Sequence, residues 1–221
     1  MKLKAFAVGV LTVLFSSAVH GDDKATNKAV DCSSAVTTVD ISMCAQQRRS
    51  NLEKALDLLI QNALSVSGEH ATRAIKDSQT VWLQFRRTQC RWIARQYEHG
   101  TLEAPTEVDC EANATEDRIE DLLSDTQTVL AYFRRSTDAN FTPDTPALRA
   151  AEESLSGTTG LIMSRAEPEF AKGLAESARA WSAYRDATCG SFEGARAAKL
   201  RSACVERLTV LRVARLRALL N

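Results

Sequence analysis

Apolar residues return every three or four positions along most of this chain. Leu52, Leu56, Leu59, Ile60 and Ala63 fall on one helical face, as do Ile75, Trp82, Phe85 and Ile93. Ile119, Leu122, Val129 and Phe133 form a third stripe. This recurrence marks amphipathic helices, and no sustained stretch alternates with the period of two that a half-buried strand requires. Thr37 or Thr38 supplies the hydroxyl that caps the first helix, with Asp40 in its first turn. Breaks fall at residues 65–69, 99–107 and 136–146, and the last of these has the Asp, Asn, Thr and Pro content of a connection. Helices resume at about residues 147–165, 168–190 and 197–219. The expected fold is all-α.

One apolar run is of a different kind. Met1-Lys2-Leu3-Lys4 precedes a stretch from Ala5 to Phe15 that runs apolar, followed by small and polar residues to Gly21. A basic head, a short apolar middle and a small-residue exit describe a secretory signal peptide, here residues 1–21. The stretch is shorter than the roughly 20 residues a spanning helix needs. Ala29-Val30-Asp31 ahead of Cys32 is not a lipoprotein cleavage site, so no membrane anchor is expected. The expected location is periplasmic or secreted.

The remaining chain contains a duplication. Trp82, Phe85, Arg86 and Cys90 read W-x-x-[FY]-R-x-x-x-C, and Trp181, Tyr184, Arg185 and Cys189 repeat it. Cys110, Thr115, Arg118 and Leu122 read C-x4-T-x2-R-x3-L, and Cys204, Thr209, Arg212 and Leu216 repeat that. Upstream, Ile75, Asp77 and Ser78 answer Leu174, Glu176 and Ser177. Two ordered strings at a near-constant offset define a first unit at 22–135, a linker at 136–146 and a second unit at 147–221. Each unit is expected to be a three-helix up-down arrangement.

Six cysteines in an exported chain favour three disulfides. The second unit keeps counterparts of Cys90 and Cys110 but none of Cys32 and Cys44, and a pair that persists or vanishes together is most simply a bonded pair. The expected bridges are therefore Cys90–Cys110, Cys189–Cys204 and, by elimination, Cys32–Cys44. In the two units, one bridge would tie the end of the middle helix to the start of the third.

The string from Ala175 to Cys189, with the later Cys204, Leu208, Thr209 and Arg212, resembles the lysozyme inhibitor LprI-like N-terminal domain family. The first unit adds that family's opening, Asp31-Cys32 and then Thr38, Met43, Cys44 and Ala45. The resemblance implies a helical, exported bacterial protein, in two tandem copies of which the second is degenerate. It also implies binding to another protein, in the first instance a lysozyme. The chain departs from the family pattern in three ways. The usual glutamine ahead of each tryptophan is displaced or missing, the Gly-Gly-Ser-type loop between the last two cysteines is absent, and the second unit lacks the first cysteine pair.

Charge narrows the partner. Loss of Lys2 and Lys4 leaves 26 basic residues against 28 acidic ones, without the basic excess that nucleic acid binding requires. The acids are unevenly spread: nine carboxylates lie between residues 103 and 125, with Arg118 the single cation. Within this stretch Glu116, Asp117, Glu120 and Asp121 are the candidates for meeting a cationic partner, by electrostatic steering. A solvated helix face is the plainer account of the same run. Trp82 with Arg86, and Trp181 with Arg185, are spaced to share a helical face. They are read as scaffold pairs, ring under guanidinium, ahead of recognition hot spots.

Catalytic chemistry has little to build on. His70 and His99 each sit at an expected turn, outside any H-E-x-x-H pair, and there is no G-x-S-x-G elbow, P-loop or C-x-x-C. No cofactor, metal or catalytic residue is expected. The leading expectation is a stoichiometric protein binder of the lysozyme-inhibitor kind. The alternative is an envelope structural or assembly protein that docks a bacterial partner.

Overall fold

The computed structural model describes residues 31–135, 145–192 and 197–220, with side chains in the first stretch described to residue 124. The expected signal peptide at 1–21 and most of the expected linker lie outside these residues. Among the described residues six α-helices follow one another: α1 (Thr38–Ser65), α2 (Glu69–Ala94), α3 (Glu103–Arg135), α4 (Pro146–Arg165), α5 (Pro168–Gly190) and α6 (Ala197–Ala218). Among the described residues there is no strand.

Local chemistry sets the boundaries. Thr37 caps α1, its hydroxyl accepting from the Asp40 amide at 3.1 Å, and Thr145 caps α4 by accepting from Leu148 at 3.0 Å. Pro146 and Pro168 open α4 and α5, where proline's missing N–H removes nothing from the helix ladder. The break expected at 99–107 is shorter than the sequence suggests. A 3₁₀ turn at Arg95–Tyr97 and His99, at φ 65°, turn the chain, and α3 begins at Glu103. Pro105 falls inside the first turn of α3, where its missing N–H removes nothing from the helix ladder, so the helix begins within the expected break.

Three disulfides form, Cys32–Cys44, Cys90–Cys110 and Cys189–Cys204, and no described cysteine is free. The latter two join α2 to α3 and α5 to α6 at equivalent points. The first folds residues 31–37 back along α1.

Packing follows the duplication but does not stay within each copy. α1 lies mainly on α3 and α4 on α6, while α2 lies on α5 of the other copy. The central α2–α5 pair is antiparallel, since Trp92 near the end of α2 meets Gly173 near the start of α5. One core cluster joins Leu56 and Trp82 to Trp181, Tyr184 and Leu208, and a second joins Trp92 to Ile162, Leu174 and Leu216. Both clusters draw on both copies. Truncating any of the three buried tryptophans would cost about 3–5 kcal/mol, and that loss would fall on both halves together.

Candidate functional site

The repeated residues converge about an approximate twofold axis through the α2–α5 pair. Phe85 and Tyr184, equivalent positions in the two copies, stack on each other with centroids 5.7 Å apart and planes 2° from parallel. Arg118 of α3 and Arg212 of α6, also equivalent, lie beside this stack, each over the aromatic ring of the opposite copy: Arg118 over Tyr184 at 5.2 Å and Arg212 over Phe85 at 5.4 Å. Each also donates to the serine of its own copy, Arg118 to Ser78 and Arg212 to Ser177, both at 3.0 Å. The arrangement thus repeats twice, residue for residue.

Symmetry ends at the second hydrogen bond. Arg212 donates to Oε1 of Gln89 at 2.8 Å, and Ser177 donates to the same oxygen. The residue equivalent to Gln89 is Thr188, too short for this role, and its buried hydroxyl finds no hydrogen-bond partner among the described residues. Arg118 donates instead to the Tyr184 hydroxyl at 3.1 Å, which in turn donates to Asp121 at 3.1 Å. Phe85 has no hydroxyl to offer in return. One copy satisfies its arginine with an amide, the other with a phenol.

Burial shifts two of these groups. Loss of hydration pushes the Tyr184 hydroxyl well above the usual phenol range, Arg118 opposing and Asp121 reinforcing the shift. Burial alone pushes the Arg212 guanidinium down, to about 9. No carboxylate stands among the described hydrogen-bond partners of Arg212.

Above this pair, α3 and α6 run side by side without packing closely, leaving a cleft of about 340 Å³. Its floor includes Trp82, Phe85 and Tyr184, and both buried arginines line it. The α3 side contributes Asp109, Asp117, Glu120 and Asp121, whereas the α6 side contributes Leu208, Leu211 and Arg215. Ion pairs Asp117–Arg215 and Asp121–Arg207 cross from one side to the other.

Each of the four acidic candidates therefore has a distinct setting. Glu116 pairs with Arg48 of α1, which also reaches Asp109, and Glu111 pairs with Arg49 at 2.7 Å. Asp117 pairs with Arg215, and Asp121, only 8 % exposed, is held by Tyr184 and Arg207. Glu120 faces solvent at the cleft lip. Helix α3 is an acidic strut clamped between basic positions on α1 and α6. Trp82 and Trp181 are buried, with Arg86 at 5.0 Å and Arg185 at 5.1 Å from the ring centroids. Arg86 is fixed further by Glu53 at 2.9 Å and Thr115 at 2.9 Å.

Arg118, Arg212, Ser78 and Ser177 were visible in the sequence as repeated letters without a role. Their recurrence at matching offsets was the signal, since a buried guanidinium needs its acceptors duplicated with it. Among the described residues no group of three or more His, Cys, Asp or Glu side chains is placed to hold a metal ion.

The model of the lysozyme inhibitor LprI family matches the chain over residues 30–122 and again over 145–216. The chain belongs to that family, in two tandem copies. No curated protein matches it. A crystal structure of an uncharacterized protein from Burkholderia thailandensis shares the fold, with TM-score 0.52 and 18 % identity over 78 % of this chain and 88 % of that one.

Proposed function

We propose that this protein is exported and acts by binding another protein, inhibiting a lysozyme stoichiometrically without chemistry of its own. The family match over both copies carries this reading. Three disulfides and the absence, among the described residues, of any helix long and apolar enough to cross a membrane agree with an oxidising, extracytoplasmic setting. Two bridged helix pairs give a preorganised surface, which lowers the ordering cost of association. The outer face of α3 is the proposed contact. Glu120 and the half-exposed Leu123 combine there an anionic group with an apolar one, beside ion pairs that a cationic partner can compete for.

Titration of purified lysozymes of several types with the secreted protein tests this. Inhibition should saturate near one equivalent and weaken as salt rises. Glu120→Lys should reduce it by about ten-fold, a change of about 1.4 kcal/mol. No inhibition of any lysozyme at stoichiometric excess would reject the reading.

An envelope docking or assembly role has one observation in its favour. Val36, Val39 and Met43 form an exposed apolar stripe at the start of α1, 85 %, 66 % and 43 % accessible, braced by Cys32–Cys44. Co-purification of an envelope protein that is lost on Val39→Asp, without lysozyme inhibition, would favour it.

A further inference from the structure

We propose that Cys32–Cys44 is a thiol–disulfide exchange site, opened by a dithiol while the other two bridges stay closed, and that its opening releases the start of α1 with the apolar stripe it carries. The site lies apart from the outer face of α3, and its test does not depend on the lysozyme reading.

Access separates the three bridges. Exchange requires a thiolate to reach one of the two sulfurs from outside. Cys32 is exposed and Cys44 half-buried. Cys90, Cys189 and Cys204 are 0 %, 1 % and 5 % exposed, and Cys110 is half-buried.

The surroundings separate them further. Were the helix-joining bridges reduced, packing of α2 on α3 and of α5 on α6 would keep each thiol beside its fellow. At such effective concentrations they reclose. Cys32 instead belongs to a segment without a buried residue: among the described residues, none before Ala45 is buried. Asp31 accepts from the hydroxyls of Ser33 and Ser34, and Thr37 and Asp40 bond each other, all within the arm and the first turn of α1.

The exchange balances with a dithiol alone. Its thiolate attacks the Cys32 sulfur, the S–S bond breaks, and Cys44 leaves as a thiolate that takes up a proton. The second thiol of the reductant then displaces Cys32 from the mixed disulfide. The protein gains two electrons and two protons, and the dithiol becomes a disulfide.

Opening leaves residues 31–44 as an overhang ahead of Ala45, the first buried residue of α1. A helix end that buries nothing has little beyond its own propensity to hold it, and it frays. Val36, Val39 and Met43 stand in that overhang. The oxidised chain thus presents the stripe in a fixed shape, and the reduced chain does not. The second copy has no counterpart of this pair, so each molecule carries one such switch.

The probes are dithiothreitol and reduced thioredoxin, added to the native secreted protein, with iodoacetamide trapping at timed intervals and peptide mass spectrometry. Cys32 and Cys44 should be alkylated at least about ten-fold faster than any other cysteine. Hydrogen exchange at the amides of 41–44 should then quicken by about ten-fold or more, with α2 and α5 unchanged. Cys32→Ser with Cys44→Ser should show the same fast exchange without reductant. Reduction by both probes admits a protein as the reductant, and reduction by dithiothreitol alone restricts it to a small dithiol; both support exchange at this site. Opening of either helix-joining bridge at an equal rate, or unchanged protection over 41–44 after reduction, would overturn the proposal.

Discussion

The indole of Trp92 lies directly on Gly173, so close that a Cβ added at Gly173 would stand 2.7 Å from the ring carbon Cδ1. The ring has no freedom to withdraw. It is 1 % exposed, its N–H donates to the Phe170 carbonyl at 2.9 Å, and the Phe170 ring packs on it at 4.9 Å. This contact joins the two copies. Gly173→Ala should therefore destabilise by about 1–3 kcal/mol despite alanine's better helix propensity. Urea unfolding would show it as a lower midpoint, and a midpoint equal to wild type would mean the helices part easily here.

Gln89 is the acceptor for two buried donors, Arg212 and Ser177. Gln89→Leu should cost about 2–4 kcal/mol, because a guanidinium and a hydroxyl both lose their oxygen. Arg212→Met should cost less, since Ser177 and Gln89 still satisfy each other. The double variant should be clearly more stable than the sum of the single losses predicts. Strict additivity in a denaturation cycle would show that the network is not coupled.

Alkaline stability should report on Tyr184. Its hydroxyl stays protonated in the fold beyond the usual phenol pKa of about 10, whereas the unfolded chain ionises there. The fold thus holds a proton that the unfolded state releases, and stability falls as pH rises above about 10, at up to about 1.4 kcal/mol per pH unit. Arg212 acts in the opposite sense. Its folded pKa of about 9 lies below the unfolded value, so the cost of its buried charge is relieved above that pH. Tyr184→Phe removes only the falling contribution. Its stability should decline less than wild type between about pH 9.5 and 11, and parallel profiles would contradict the assignment.

The three disulfides should differ in worth. Cys90–Cys110 and Cys189–Cys204 close loops of sequence separation 20 and 15 between packed helices, for which chain entropy gives about 3 kcal/mol each. Cys32–Cys44 fastens an exposed arm. Replacing both cysteines of either helix-joining pair by serine should lower the melting temperature far more than Cys32→Ser with Cys44→Ser. Equal losses in calorimetry would show that the arm belongs to the cooperative core.

Helices, the cysteine pairing and the family were readable from local pattern, because a helix face and a repeated string are properties of neighbouring residues. The partner of each face was not. Periodicity showed that Trp82 and Phe85 need cover but not that α5 of the other copy supplies it. The acidic stretch was similarly incomplete. Nine carboxylates with one cation look like an open anionic surface until the fold brings Arg48 and Arg49 from upstream and Arg207 and Arg215 from downstream. Glu120 kept the solvent-facing position expected of it, while Asp121 became a buried bridge between Tyr184 and Arg207. The two arginines stayed silent in sequence because each takes one acceptor, Tyr184 or Gln89, from the opposite copy.

The unequal solutions at the two arginines restrict how this molecule can change over time. Threonine at position 89 would strand Arg212, unless position 85 became tyrosine and offered the phenol that Tyr184 already gives Arg118. Drift at either site is thus conditional on its fellow four residues away, with the beneficiary on another helix. Such a chain inherits its substitutions in matched sets.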